Sequence, residues 1–296
     1  MNNTMLLSVV IPVGNLEKNY GNLKQILTNS DRENIEMIFV LDTDESLALE
    51  TLTELCESQE SIKFKIIESR GRNPGSSRNL GILACSGEWL LFCDSDDFPY
   101  FANILTSISE QDSELDILIG SYAVKGVPYA KNLNTITGDN DGVTWRNIAL
   151  NPGLWRWIIR RNFIKTEHFP DLSMGEDQYF LISLLNREPK IVFTNQLFYE
   201  YSQSSAESLT NSKSKISDLV QILKLELSMK NFPDKYSDVR DYLILRQLIT
   251  LFKSGGVKEK IQALILLATF ISKHSPVRYL SSARFVGKIL INATKI

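Results

Sequence analysis

Trp89-Leu90-Leu91-Phe92-Cys93-Asp94-Ser95-Asp96-Asp97 passes from five apolar residues straight into three carboxylates within four positions. A short apolar run bounded by a polar turn reads as a buried strand. Two carboxylates one residue apart at its end, Asp94 and Asp96, can address a single hard cation. They repel each other unless such a charge lies between them. An isolated pattern of this kind is more often a solvated acidic turn. Its place directly behind a buried strand makes it a candidate metal site.

Two other uses of the same letters fail on the residues that follow. A haloacid-dehalogenase-type phosphotransferase needs D-x-D-x-T, and Phe98 stands at the threonine position. An EF-hand loop needs glycine at its sixth position and glutamate at its twelfth, where Pro99 and Leu105 stand.

Upstream, strand and helix patterns alternate. Leu6-Leu7-Ser8-Val9-Val10-Ile11 is a β-rich run that Pro12 is expected to stop. Leu16, Leu23, Ile26 and Leu27 then recur at helical spacing. Residues 36–41 predict a second strand, Leu47, Leu52, Leu55 and Cys56 a second helix, and residues 62–67 a third strand. Residues 77–84 predict a helix with Leu80, Leu83 and Ala84 turned inward. Strands separated by helices predict an α/β fold with a mainly parallel sheet and right-handed crossovers. Ligands of such sheets bind outside the carboxyl ends of the strands. Four segments fall there: Pro12-Val13-Gly14-Asn15, Asp42-Thr43-Asp44, Ser69 to Asn73, and Asp94 to Asp97. Together they bring turn residues, basic groups and carboxylates to one edge, a mixture suited to a phosphate-bearing ligand held through a metal ion.

Downstream the pattern loosens. Residues 115–122 predict another strand, residues 138–142 a turn, and residues 145–150 and 154–159 short helical pieces. A helix begins near Gly175-Glu176-Asp177 and carries Phe180, Leu181, Leu184 and Leu185. Residues 191–201 are strand-like. From about Lys213 the chain turns helical, with periodicity in Leu219, Ile222, Leu223 and Leu227 and again in Tyr242, Leu245, Leu248 and Ile249. The division expected is residues 1–210 and a helical region over 211–296.

Composition narrows the class. At 43% hydrophobic and 23% charged, the 296 residues are ordinary for globular proteins, and a net charge of −3 gives no reason to expect nucleic acid as a partner. Cys56, Cys85 and Cys93 form no C-x-x-C pair and read as reduced core thiols of a cytoplasmic protein. No basic segment precedes the first apolar run, so a secretory signal is not expected. The longest apolar stretch, near residues 261–271, is too short to span a bilayer.

These motifs, in this order, resemble the family 2 glycosyltransferases, inverting enzymes of the GT-A fold. The resemblance runs from about residue 6 to 210. It rests on Ser8 to Val13 with Asn15, Val40-Leu41-Asp42, Gly75-Ser76-Ser77-Arg78-Asn79-Leu80-Gly81, Gly87-Glu88-Trp89, the Asp94 block, Trp155, Gly175-Glu176-Asp177 and Tyr199-Glu200-Tyr201. It implies a Rossmann-like catalytic domain and a nucleotide-sugar donor, typically UDP-linked. Pro12 and Asn15 would line the nucleoside pocket, Asp42 would meet the base, and Arg78 would lie near the nucleotide. Asp94 and Asp96 would serve the ribose-phosphate and a Mn²⁺ or Mg²⁺ ion. Asp177 would be the catalytic base, Glu176 an orienting or capping residue, and Trp155 part of the acceptor wall.

Three positions depart from the family pattern. Gly14 stands where an aromatic residue is usual, Leu41 where aspartate is frequent, and Ser202 where a basic residue is common. Arg70, Arg72, Arg160 and Arg161 are the candidates to supply the missing diphosphate contact. Neither His168 nor His274 has metal-ligand spacing.

The expected activity is transfer of a hexosyl or N-acetylhexosaminyl unit to a saccharide or lipid-linked acceptor in bacterial-type surface polysaccharide or glycolipid synthesis. A non-catalytic nucleotide-sugar-binding subunit would keep the same pocket, and only activity separates the two. A sugar-1-phosphate nucleotidyltransferase would need a basic glycine-rich loop after the first strand, which Gly14-Asn15-Leu16-Glu17 does not supply. Beyond Phe252 the chain carries eight Lys or Arg and one acid, Glu259, interleaved with apolar residues. That pattern fits three arrangements: a bundle packed with solvated lysines, a homo-oligomer interface, or a peripheral hold on the inner face of a membrane.

Overall fold

The computed structural model describes residues 6–29, 34–59, 62–71, 73–127, 148–149, 151–164, 166–202 and 216–273. The chain packs as two compact units. One comprises residues 1–139, 153–171 and 188–205, the other residues 140–152, 172–187 and 206–296. The division is therefore discontinuous, where the sequence pattern led to a single boundary near Asn211. The helix that begins at Glu176 groups with the second unit. The turn expected at 138–142, most of the piece expected at 145–150, Arg72 and His274 lie outside the described residues.

The first unit is built on one sheet of eight strands: β1 (Leu7–Val13), β2 (Ile35–Leu41), β3 (Lys63–Glu68), β4 (Trp89–Phe92), β5 (Phe98–Pro99), β6 (Ile117–Val124), β7 (Trp157–Arg160) and β8 (Ile191–Tyr201). Their order is β3-β2-β1-β4-β7-β6-β8-β5. The first four are mutually parallel, as the alternating pattern required, and α1 (Leu16–Thr28), α2 (Ala48–Glu57) and α3 (Pro74–Ala84) connect them. At β4 the sheet changes character, because β7 pairs with it antiparallel. The helices α4 (Phe101–Ser109) and α5 (Arg161–Ile164) also belong to this unit. β1, β2 and β4 are buried almost throughout, which is why they read as continuous apolar runs.

Three local expectations change. Pro12 does not end β1, which continues to Val13 in register with β2. The carbonyls of Leu6 and Val10 face β4, and that of Val13 faces the β2 side. Pro12 therefore turns its N–H-less nitrogen toward β4, beyond the last paired residue there, Val10 with Phe92. The ladder with β4 therefore ends at Pro12, while the ladder with β2 runs on to Val13.

The second change concerns α3, which starts at Pro74 and turns Ser77, Arg78 and Gly81 inward, while Leu83 is 83% exposed. A Cβ at Gly81 would stand 2.3 Å from Val10 Cγ1, so the missing side chain lets α3 seat directly on β1. The third is residues 154–159. They form a 3₁₀ turn (Leu154–Arg156) running into β7, because Trp157, Ile158 and Ile159 are wholly buried between β4 and β6.

All three cysteines are free and buried in this unit. Burial pushes the Cys56 and Cys85 thiols up to about 12 and Cys93 well above its ordinary value.

The second unit contains α6 (Glu176–Leu185), α7 (Ile216–Ser228), α8 (Asp234–Ser254) and α9 (Val257–Lys273). Leu219, Leu223 and Leu227 of α7 meet Ile244, Leu248 and Leu251 of α8 and Ala263, Leu266 and Phe270 of α9 in one apolar core. Gly175 precedes α6 at φ 83°, a left-handed conformation that residues with a Cβ rarely adopt.

Candidate active site

The carboxyl ends of β1 to β4 meet at one edge, and the four expected segments leave the sheet there. Behind β2 and β3 opens a cleft of about 430 Å³ lined by Leu41, Asp42, Thr43, Asp44, Glu68 and Arg70, among others. Asp42 stands at its mouth. Its backbone N–H donates to the Val13 carbonyl at 2.9 Å, and the buried Ser77 hydroxyl donates to its Oδ2 at 3.2 Å. Asn15 accepts from the Lys18 N–H at 2.8 Å and so caps α1. Glu45 also accepts there, from the Leu16 N–H at 3.0 Å and the Glu17 N–H at 3.3 Å. A protein carboxylate therefore already occupies the positive end of α1. Pro12 is half-buried beside this segment, and a Cβ at Gly14 would meet nothing within 4 Å.

The acidic segment is held from several sides. The Asp94 N–H donates to the Tyr199 phenol at 2.9 Å, and Arg78 Nη2 pairs with Asp94 Oδ1 at 3.1 Å. The Arg78 guanidinium also lies over the Phe169 ring, 5.5 Å from its centroid. From α1, Asn19 donates to Ser95 Oγ at 2.7 Å, and Asn22 donates to the Ser95 and Asp97 carbonyls at 3.0 and 2.7 Å. Asp97 Oδ1 accepts from the Ser202 N–H at 2.6 Å, and its carboxyl is buried.

Burial, then the charge of Asp94, raises the carboxyls of both Asp96 and Asp97 above the ordinary range. A divalent cation placed there would favour the charged form of both carboxyls. Among the described residues no three His, Cys, Asp or Glu side chains converge into a metal cage. Asp94 and Asp96 thus fit an ion whose remaining positions are filled by substrate phosphate and water, as is usual for Mg²⁺.

Beside this segment stands an aromatic wall. Trp155 stacks on Tyr199 at 4.7 Å and on Tyr201 at 5.5 Å, both at 14°, and meets Tyr122 edge-on at 4.8 Å.

Of the described basic candidates, Arg70 reaches this edge. Arg160 pairs with Glu88, donates to the Leu115 carbonyl and lies 4.3 Å over the Trp89 ring. Arg161 donates to the Gly87 carbonyl at 2.7 Å. Both arginines sit at the amino end of β4, opposite the carboxylates, and their role is structural. The cations whose charge acts on Asp96 are instead Lys18 and Lys125. Those lysines, with Asn19, Asn22 and Ser77, are what sequence reading missed. Only Ser77 carried a signal, as part of the Gly75-to-Gly81 motif.

Glu176 and Asp177 belong to the second unit, in the first turn of α6. Glu176 is buried, and Asp177 is half-exposed and accepts from the Gln178 N–H at 2.8 Å. Beneath them Gln247 Nε2 bridges Gln178 Oε1 at 3.3 Å and Glu226 Oε1 at 2.8 Å. Glu226 is 1% exposed, and burial pushes its carboxyl up to about 8, with Asp177 adding to the rise.

The glycosyl transferase family 2 model matches residues 8–169, more than half of the chain. The chain belongs to glycosyl transferase family 2. Its fold is GT-A, as the likeness to crystal structures of Staphylococcus aureus TarS bears out. The structure in complex with UDP-GlcNAc has a TM-score of 0.67 at 19% identity, covering 90% of this chain and 81% of that one.

Several family 2 relatives are recognisable in sequence. TarS of S. aureus strain MW2, a poly(ribitol-phosphate) β-N-acetylglucosaminyltransferase, is 26% identical over 237 residues. That match takes in 75% of this chain and 40% of TarS, so the chain spans two fifths of that relative's length. A Campylobacter jejuni GalNAc(5)-diNAcBac-PP-undecaprenol β-1,3-glucosyltransferase is 20% identical and covers 94% of this chain and 97% of its own length. A Pyrobaculum calidifontis mannosyltransferase solved with GDP-Man and Mn²⁺ shares the fold, with a TM-score of 0.59 at 11% identity over 98% of this chain and 86% of that one.

Proposed function

We propose that this family 2 enzyme is a metal-dependent, inverting transferase. It would move a hexosyl or N-acetylhexosaminyl unit from a UDP-linked donor to a saccharide or lipid-linked acceptor of a bacterial surface polysaccharide or glycolipid. One observation carries the reading: the Asp42 cleft and the Asp94–Asp97 carboxylates share a sheet edge, so one nucleotide can span from base to diphosphate. The solved complex of TarS with UDP-GlcNAc supports a uridine donor. The poly(ribitol-phosphate) and undecaprenyl-linked acceptors named for the two bacterial relatives support a cell-envelope glycan as acceptor.

In this reading Asp42, oriented by Ser77, accepts a hydrogen bond from the base, with Pro12 and Asn15 at the nucleoside. Arg78 lies near the nucleotide. Asp94 and Asp96 would hold a Mn²⁺ or Mg²⁺ ion, whose positive charge would offset that of a departing diphosphate. Trp155 with its tyrosines offers the flat apolar surface that a sugar ring packs against. Asp177 takes the proton of the acceptor hydroxyl as its oxygen attacks the anomeric carbon and the bond to the diphosphate breaks, giving inversion. Glu176 helps to orient that first turn of α6.

Calorimetry with UDP-, GDP- and dTDP-sugars and Mn²⁺, joined to an assay of nucleotide release, tests the whole. Asp96→Ala is expected to abolish metal-dependent donor binding, and undiminished binding would remove Asp96 from the site. Asp177→Asn is expected to keep donor affinity while turnover falls by about 10²–10⁴. Near-normal turnover in that variant sinks the assignment of the base.

A further inference from the structure

The last described helix has two apolar faces. Ala263, Leu266 and Phe270 of α9 are buried in the core of the second unit. At 3.6 residues per turn the opposite side carries Val257, Ile261, Leu264, Ile265 and Ala268. That side is open: Val257 is 79% exposed, Ile261 54%, Leu264 55% and Ile265 61%. Lys260 flanks this stripe on one side and Lys258 on the other, both exposed. A helix that needed only to cap the bundle would carry polar residues there.

From this pairing of an outward apolar stripe with flanking lysines we propose that α9 is a docking surface for an anionic lipid bilayer. The helix would lie in the plane of the interface with its stripe among the acyl chains.

Charge selects this occupant over the alternatives. Residues 252–296 carry eight Lys or Arg (253, 258, 260, 273, 278, 284, 288 and 295) against Glu259 alone, a balance of 8 − 1 = +7. The whole chain is −3, so residues 1–251 stand at −10. A chain so polarised meets a negative surface with one end only. A second copy would bring the same lysines to both sides of the seam. Residues 274–296 hold four of the cations and no acid, so laying them over the stripe would add like charge. No described helix is long and apolar enough to cross a membrane, which leaves an interfacial pose.

The inference does not rest on the proposed reaction, and its test uses the full chain with no donor present. Vesicles of phosphatidylcholine alone and with 30% (about one lipid in three) phosphatidylglycerol are floated with the protein at low and high salt. Binding is expected only to the anionic vesicles and to weaken with salt. The exposed-site variant Ile261→Gln/Leu264→Gln/Ile265→Gln, and separately Lys258→Gln/Lys260→Gln, are each expected to lower partitioning at least tenfold with unchanged helical circular dichroism. Four results overturn the proposal: no binding to anionic vesicles, undiminished binding by the triple variant, a dimer that the triple variant dissolves, or binding that appears only after residues 274–296 are removed. Nucleotide-sugar affinity measured on the same samples reports separately on the proposed function.

Discussion

Ser77 has the smallest side chain at the candidate site with a role of its own. Its buried hydroxyl faces both Asp42 Oδ2 at 3.2 Å and the Asn73 carbonyl at 3.3 Å, so it can steady the carboxylate that would meet the base. A hydrogen bond to a charged acceptor contributes about 1.5–3 kcal/mol at most, and less where solvent can replace it. Ser77→Ala is therefore expected to weaken UDP binding about fivefold to tenfold while leaving the fold intact. Calorimetry on the free nucleotide decides it, and unchanged affinity would separate Ser77 from the base site. At this scale the acidic segment was legible in sequence, because a buried strand ending in carboxylates is a contiguous pattern. What holds that segment was not. Asn19 and Asn22 reach it from α1, Tyr199 from β8, and Ser202 from just beyond β8. Contacts between residues more than 70 positions apart leave no periodicity to read.

Elements were legible where burial is achieved by bulk. β1, β2 and β4 announce themselves through Val, Ile, Leu and Phe. α3 is buried instead through Ser77 and Gly81, with Leu83 in solvent, so a search for an apolar stripe chooses the wrong face. Residues 157–159 failed for a related reason: a short apolar run has the same letters in a buried strand and a buried helix. The close seating of α3 makes a strong prediction. Gly81→Val would drive a side chain into Val10, and overpacking of this kind costs about 1–3 kcal/mol. Urea midpoints should fall accordingly, and nucleotide affinity should fall too, since lifting α3 displaces Ser77 and Arg78 together. A stable variant with normal affinity would contradict that coupling.

For the molecule as a whole, the second unit carries a pH response of its own. Glu226 is held neutral in the second unit, its carboxyl raised to about 8 from an ordinary 4.5. The native state then keeps a proton that the unfolded chain has lost, so stability is full below pH 4.5 and declines as pH rises toward and through 8. The slope in that window is about 1.4 kcal/mol per pH unit. Glu226→Gln keeps an amide-compatible shape without an ionisable proton. Its thermal midpoint should thus fall less steeply from pH 6 to 8.5 than the parent's, and parallel curves would exclude the buried acid as a cause. The first unit, by contrast, carries its own reporter. Cys56, Cys85 and Cys93 are all there, shielded, and with so little thiolate at neutral pH that the folded state should ignore a disulfide reagent. The second unit has no thiol at all. A colour-forming thiol reagent added at pH 8 therefore acts as a clock for one half of the molecule: silent while the helices loosen, and running only once the sheet itself has opened.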